Sequence, residues 1–423
     1  MGQWTTLLEP AAAERAWQVI DHIAGALRDP PPPYDGALTD EGLRASLIAR
    51  EPGFAVFYSY LAMARGDDQE LREVAADHLA AGLEHVGEIA ARRPGLFIGF
   101  TGTAWALEHL GRYLDLEDEE ALTGIDRALA GLVDALPADY FHPLDRGFCG
   151  FAVYALERLP RRSARECLEL VCQRLIAAAE EGQPGLRWRM RGSWMIAPDG
   201  QPPPDQFYTG VATGAAGPIA VLANALRAGV ARGRAEAAVA AGIEWLLAQR
   251  RARGGATSLP PRQGVTGEAA SWSDGPVAVA AALAGSQAAA DPDRARAILD
   301  LARAAAGRRR EVADASLTAG AAGVAHSFNR LFQATGEELF ARAARAWFAV
   351  ALDMFDRDGG FGGYRFHSPE WENRYIPGLP TGMIDLPGIG VGVAGVGLAL
   401  LAAASPIEPA WDRMLLLSSR TGE

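Results

Sequence analysis

GFTGTAWALEHL, residues 99–110, decides the fold. A glycine, two small or apolar residues and a second glycine lead into a run that is apolar nearly all round. Similar stretches begin at Gly53 (GFAVFYSYLAMA), Gly147 (GFCGFAVYALERL) and Gly214 (GAAGPIAVLANAL). A weaker copy starts at Gly275 (GPVAVAAALAG), and two more at Gly320 (GAAGVAHSFNRLF) and Gly392 (GVAGVGLALLAAA). The seven copies stand 46, 48, 67, 61, 45 and 72 residues apart. That spacing suits one helical hairpin per repeat, with longer loops after the third, fourth and sixth.

The stretches between copies are of another kind. Residues 70–93, 163–181, 234–251 and 337–355 carry apolar positions at the 3.6-residue period and Arg and Glu on the opposite face. Helices apolar all round belong inside, and amphipathic ones cover them. Alternating the two predicts an inner and an outer layer. With an N-terminal helix around residues 11–27 pairing with an inner one, the expectation is a single all-α domain over residues 1–423. It is an (α/α)7 toroid of seven helical hairpins. The glycines would permit close backbone approach and unusual dihedrals where the inner helices begin. All inner helices would start at one end, so their N-terminal N–H groups and dipoles would favour an anion there. Long aromatic and charged loops, residues 184–210 and 356–388, are expected at the same end.

Composition narrows the function. The chain has 40 basic and 52 acidic residues, a net charge of −12. That argues against a nucleic acid partner, which needs a basic face. Every basic residue is Arg. Without Lys there is neither a Walker phosphate loop nor a Schiff-base enzyme. Three cysteines do not make a disulfide framework, and the N-terminus lacks a signal-peptide layout, so a cytoplasmic protein is expected. The apolar stretch from Gly388 is Gly-rich at its start and reads as a buried inner helix, not a membrane span. The seven histidines form no HExxH or paired-His pattern. Cys167 and Cys172 read as core residues, and Cys149, in an inner motif, as core or as a reactive thiol.

The copies GFTGTAWAL, GAAGPIAVL, SWSDGPVAVAAAL, LTAGAAGVAHSF and GVAGVGLALL resemble the lanthionine synthetase C-like (LanC-like) cyclases, and the resemblance spans essentially the whole chain. It implies an α/α toroid that adds a peptide Cys thiol to a dehydroalanine or dehydrobutyrine, closing a thioether ring. It also implies a zinc ion that activates the thiol, held by Trp-Cys-x-Gly and Cys-His-Gly motifs. Here those motifs read Trp272-Ser273-Asp274-Gly275 and Thr318-Ala319-Gly320. Ser273, Thr318 and Ala319 stand at the ligand positions. Thr213 stands at the family's catalytic His, and Ala269 and Asp274 at its Arg and Tyr. Pro143 stands at its Asp, with Asp145 two residues away. No metal and no cofactor are therefore expected.

The resemblance and its gaps together suggest a zinc-independent cyclase of lanthipeptide-type biosynthesis, acting on a precursor peptide through general acid–base groups. Candidate groups are Asp274, Asp145, Tyr208, Arg191 and Asp385. The alternative is a non-catalytic scaffold that holds the peptide or serves a dehydratase or kinase-like partner. A third possibility is another enzyme on the same scaffold. DxDD and DDxxD clusters are absent, however, and residues 115–120 (DLEDEE) read as a solvated cap. Glu370 and Glu372 could supply the paired carboxylates that glycoside hydrolysis needs, but nothing else in the sequence supports a sugar substrate.

Overall fold

A computed structural model describes residues 4–31, 45–84, 86, 94–137, 139–194, 201–253, 256–265, 267–284, 290–308, 311–368 and 380–420. In chain order, α1 (Pro10–Leu27) is followed by α2 (Glu51–Ala64), α3 (Gln69–Glu84), α4 (Phe100–Leu114) and α5 (Glu119–Ala135). Then come α6 (Phe148–Arg158), α7 (Arg162–Ala177) and an antiparallel hairpin of β1 (Ala179–Glu181) and β2 (Leu186–Trp188). Next are α8 (Ala216–Arg227), α9 (Arg234–Ala248) and a hairpin of β3 (Arg251–Arg253) and β4 (Ala256–Ser258). The chain continues with α10 (Pro276–Ala284), α11 (Pro292–Ala306), α12 (Ala321–Thr335) and α13 (Glu338–Asp353). It ends with the β5 (Phe366–Ser368) and β6 (Gly382–Ile384) hairpin, α14 (Val393–Ala404) and a 3₁₀ turn at Ala410–Leu415.

Two compact units emerge. The first comprises Met1–Glu117, Ile196–Gln201 and Arg310–Pro409; the second comprises Asp118–Met195, Pro202–Arg309 and Ala410–Glu423. In the first, α2 pairs with α3, α12 with α13, and α1 with α14. The last glycine-led helix, α14, also packs on the first, α2, and on α12. In the second, α6 pairs with α7, α8 with α9 and α10 with α11, while α8 lies against both α6 and α10.

The two kinds of helix are as the periodicity predicts. Every residue of α14 is buried, as are Pro276–Leu283 of α10 and Ala216–Ala225 of α8. On α5 only Leu122, Asp126, Leu129 and Val133 are buried, spaced three and four apart on one stripe. Among the described residues no helix is long and apolar enough to cross a membrane.

The glycines differ from the expectation in one respect. Those ahead of α4 and α14, Gly99 and Gly392, are extended, with φ of 162°, and need no unusual dihedral. Close approach is their role. A Cβ on Gly102 would fall 1.9 Å from the carbonyl oxygen of Leu96, and one on Gly395 1.8 Å from that of Ile389. In both, the loop six residues back curls onto the third residue of the helix. Gly53 holds this same interior place in α2, so the first repeat begins three residues earlier than its glycine suggests.

The DLEDEE segment is more than a solvated cap. Asp118 accepts the N–H of Ala121 (2.9 Å) and caps α5. Glu119 accepts from Arg158 (2.8 Å) and Arg161 (2.9 Å), and the Arg158 bond pulls its pKa down to about 2. Arg158 also binds the fully buried Asp126 (3.1 Å), which accepts from Tyr154 (2.7 Å) and Ser163 (2.6 Å). Glu370 and Glu372 lie outside the described residues.

Candidate functional site

In the second unit, the loops leading into α6, α8 and α10 interlock through their backbones. The Leu144 N–H donates to Ala212 O (2.9 Å), and the Ala212 N–H donates to Ser273 O (3.1 Å). Each loop also folds onto the start of its own helix. Cys149 N–H reaches His142 O, Ala215 N–H reaches Tyr208 O, and Gly275 N–H reaches Ser271 O, each at 3.0 Å. Gly210 permits close contact: a Cβ there would lie 2.3 Å from Ser273 O and 2.6 Å from Asp274 Oδ1. Side chains distant in sequence therefore meet around Asp274.

The Asp274 carboxylate accepts from Ser273 Oγ at Oδ2 (2.9 Å) and from Thr213 Oγ1 at Oδ1 (3.3 Å). Its own N–H donates to Ser271 Oγ (3.1 Å). The carboxylate's bonds thus go to hydroxyls and not to the first turn of α10, so it does not cap that helix. Burial raises its pKa, opposed by the two hydroxyl donors. Tyr208 lies within the electrostatic reach of Asp274. Burial raises the phenol's pKa and the Asp274 charge adds to this, while Arg262 lowers it. Arg262 is set beside Tyr208 by an antiparallel bridge and donates to Gln206 Oε1.

His142 joins the cluster from the α6 loop. It is 2 % exposed, and its Nε2 lies 3.3 Å from Thr213 O. A carbonyl only accepts, so Nε2 carries the hydrogen. Burial pushes its pKa down to about 4, outweighing the Thr213 bond. The ring is neutral at pH 7 and holds Thr213 in place.

Other expected site residues are engaged elsewhere. Asp145 accepts from Arg146 Nε (2.8 Å), and Arg191 pairs with Asp139 on the exposed side. In the first unit, Asp385 is half-exposed, 3.9 Å from Arg365 Nε. Thr318 donates to Gly390 O from both its N–H and its Oγ1, each at 3.0 Å. Ala319 has no donor atom. Cys149, Cys167 and Cys172 are buried core residues. Burial pushes the thiols of Cys167 and Cys172 up to about 12 and that of Cys149 well above the ordinary value.

Zinc takes thiolate, imidazole or carboxylate ligands. At position 273 the hydroxyl gives its hydrogen to Asp274, and at 318 to Gly390 O. Among the described residues no three His, Cys, Asp or Glu are grouped to hold a metal. These residues do not fit zinc.

The comparisons with known proteins agree with the architecture. A family model described as lanthionine synthetase C-like protein matches residues 43–416. The chain belongs to the lanthionine synthetase C-like family. Among solved structures it is similar to nisin cyclase, with a TM-score of 0.69 and 14 % identity, covering 97 % of this chain and 98 % of that one. A match of that extent shows the fold class, the all-α toroid class that the glycine-led repeats predict. No curated protein sequence matches the chain.

Proposed function

We propose that the protein is a zinc-independent cyclase that adds a Cys thiol of a precursor peptide to a dehydroamino acid of the same peptide. One observation carries this reading. The half-buried Asp274, its pKa raised, is bonded to hydroxyls at two positions where the family places a zinc ligand and a catalytic His, Ser273 and Thr213.

In this mechanism Asp274 takes the thiol proton. A free thiol has a pKa of about 8.5 and an ordinary Asp about 3.9, so each unit by which burial raises Asp274 lowers the transfer cost by about 1.4 kcal/mol. The thiolate then attacks Cβ of the dehydro residue. The S–Cβ bond forms as the π pair moves through Cα onto the carbonyl oxygen, giving an enolate. In this reading Tyr208, with Arg262 beside it, donates a hydrogen bond to that oxygen. The proton held by Asp274 returns to Cα, the carbonyl re-forms, and the thioether is complete with no net change in protons. Proton transfer from a thiol near 8.5 to His142, with its pKa near 4, would be uphill by about 6 kcal/mol.

A second reading is favoured by one observation: Ser273, Thr318 and Ala319 together lack the family's donor atoms. A scaffold that presents the peptide to a dehydratase or kinase-like partner needs none of them. An assay of thiol loss in a dehydrated precursor peptide separates the two. A rate raised by the purified protein alone supports the cyclase. A rate unchanged with the cognate dehydratase both present and absent excludes catalysis.

A further inference from the structure

The chain ahead of α8 runs extended between two other segments of the second unit. On one side Gln206 bridges Met190, their N–H groups and carbonyls exchanging bonds of 2.8 and 2.9 Å. On the other, Thr209 N–H donates to Pro261 O (2.9 Å) and Gln263 N–H donates to Phe207 O (2.8 Å). Those two bonds flank Tyr208 and Arg262. The two residues are therefore a non-hydrogen-bonded antiparallel pair, the kind whose side chains stand closest.

Alternation along an extended chain sends Gln206 and Tyr208 to one face and Phe207 to the other. Phe207 meets Trp245 of α9, and the Arg187 guanidinium lies 3.8 Å from its ring centre. The opposite face carries Gln206, Tyr208 and Arg262, all half-buried.

Arg262 donates to Gln206 Oε1 and to the Tyr208 phenol. Both partners are neutral, and among the described residues no carboxylate pairs with this guanidinium. Asp274, whose charge reaches Tyr208, already accepts from Ser273 and Thr213. Gln206 spends its oxygen on Arg262, and its NH₂ group donates to no described residue. The phenol accepts from Arg262 and keeps its own O–H to give. A guanidinium also has more N–H groups than two acceptors use. The face is thus a cation flanked by amide and phenol donors, with no anion of its own. A neutral acceptor such as Gln206 Oε1 fixes the plane of the guanidinium without cancelling its charge. That arrangement suits a planar anion, which can take parallel N–H bonds from the arginine fork.

We propose that Arg262 and Gln206 form a binding site for a carboxylate of the substrate peptide, the chemistry shared by an acidic side chain and a free C-terminus. Tyr208 stays available for the enolate. The inference rests on the reading of the Asp274 cluster as a peptide-modifying site and adds a preference to it: peptides carrying a carboxylate beside the reacting residues are favoured over their amides.

Titration calorimetry on the full chain tests it with probes that hold neither thiol nor dehydro residue, so a failure here is separate from a failure of ring formation. Acetyl-Glu-amide is compared with acetyl-Gln-amide, and acetyl-Gly with acetyl-Gly-amide. Each pair differs by one charge. At least one acid should bind saturably in the millimolar range, about 10-fold or more tighter than its amide, the scale of one charge-assisted hydrogen bond. The pair with the larger ratio identifies the source of the carboxylate. Arg262→Gln should abolish the preference. Gln206→Glu is the sharper variant, because it sets a carboxylate of the chain's own against Arg262. It should also abolish the preference, with a melting temperature equal to or above that of the wild type. Acids that bind no better than their amides overturn the proposal. So does a preference unchanged in Gln206→Glu, since the carboxylate would then be held elsewhere.

Discussion

Asp274→Asn keeps the side chain's shape and lets Ser273 and Thr213 remain bonded, but removes the basic oxygen. The expected result is a fall of about 10²-fold or more in the rate of thiol consumption, with melting temperature nearly unchanged. Full activity in that variant would take Asp274 out of the mechanism. His142 belongs to a different test. Its folded pKa of about 4 lies below the ordinary 6.5, so the unfolded chain takes up a proton that the folded chain refuses. Stability should be intact above about pH 6.5 and fall as pH drops toward 4, by about 3 kcal/mol from this group alone. His142→Gln should flatten that part of the curve, measured as melting temperature against pH. Asp274, Ser273 and Thr213 were legible because they occupy motif positions beside a helix start. His142 and Arg262 were not. The His142 bond to Thr213 joins residues 71 apart in the chain, and it exists only because two loops curl onto their helices. Asp145 and Arg191 drew notice by charge, but nearer opposite charges claimed both.

Among helices, the glycine-led and amphipathic kinds should respond oppositely to the same substitution. Gly395→Ala on α14 drives a methyl group into the Ile389 carbonyl, and overpacking there should cost about 1–3 kcal/mol or more. Gly124→Ala on α5 meets nothing within 4 Å and should stabilise by about 0.5–1 kcal/mol, through helix propensity. Paired denaturant melts would show the contrast, and a neutral Gly395→Ala would refute the close-approach account. The buried Arg158–Asp126 pair is the other sensitive point. Asp126→Ala takes one of two carboxylates from the fully buried Arg158 guanidinium, leaving Glu119, and removes the acceptor of Ser163 and Tyr154, which should cost about 1–3 kcal/mol. The alternation of helix types was plain in the sequence because burial on all sides and burial on one stripe demand different periodicities. The register of the first repeat was not. Gly53 looks like a leading glycine, and only the curl of residue 47 onto it reveals its interior place.

The chain as a whole keeps the family's fold while offering hydroxyl and methyl groups where zinc would need thiolate and imidazole. Elemental analysis after dialysis should therefore find far less than one zinc per chain, and a stoichiometric content would overturn this reading of the donor set. The fold was readable from end to end because seven repeats state it redundantly. The chemistry was readable only as an absence, since no motif announces what replaces a lost metal. With Cys149, Cys167 and Cys172 sealed in the core and their thiols held protonated, the native protein should be silent to a mild disulfide reagent at neutral pH. In a mixture with a precursor peptide, every colour change would then report the peptide's own cysteines, and the unaltered wild-type chain would serve as its own blank.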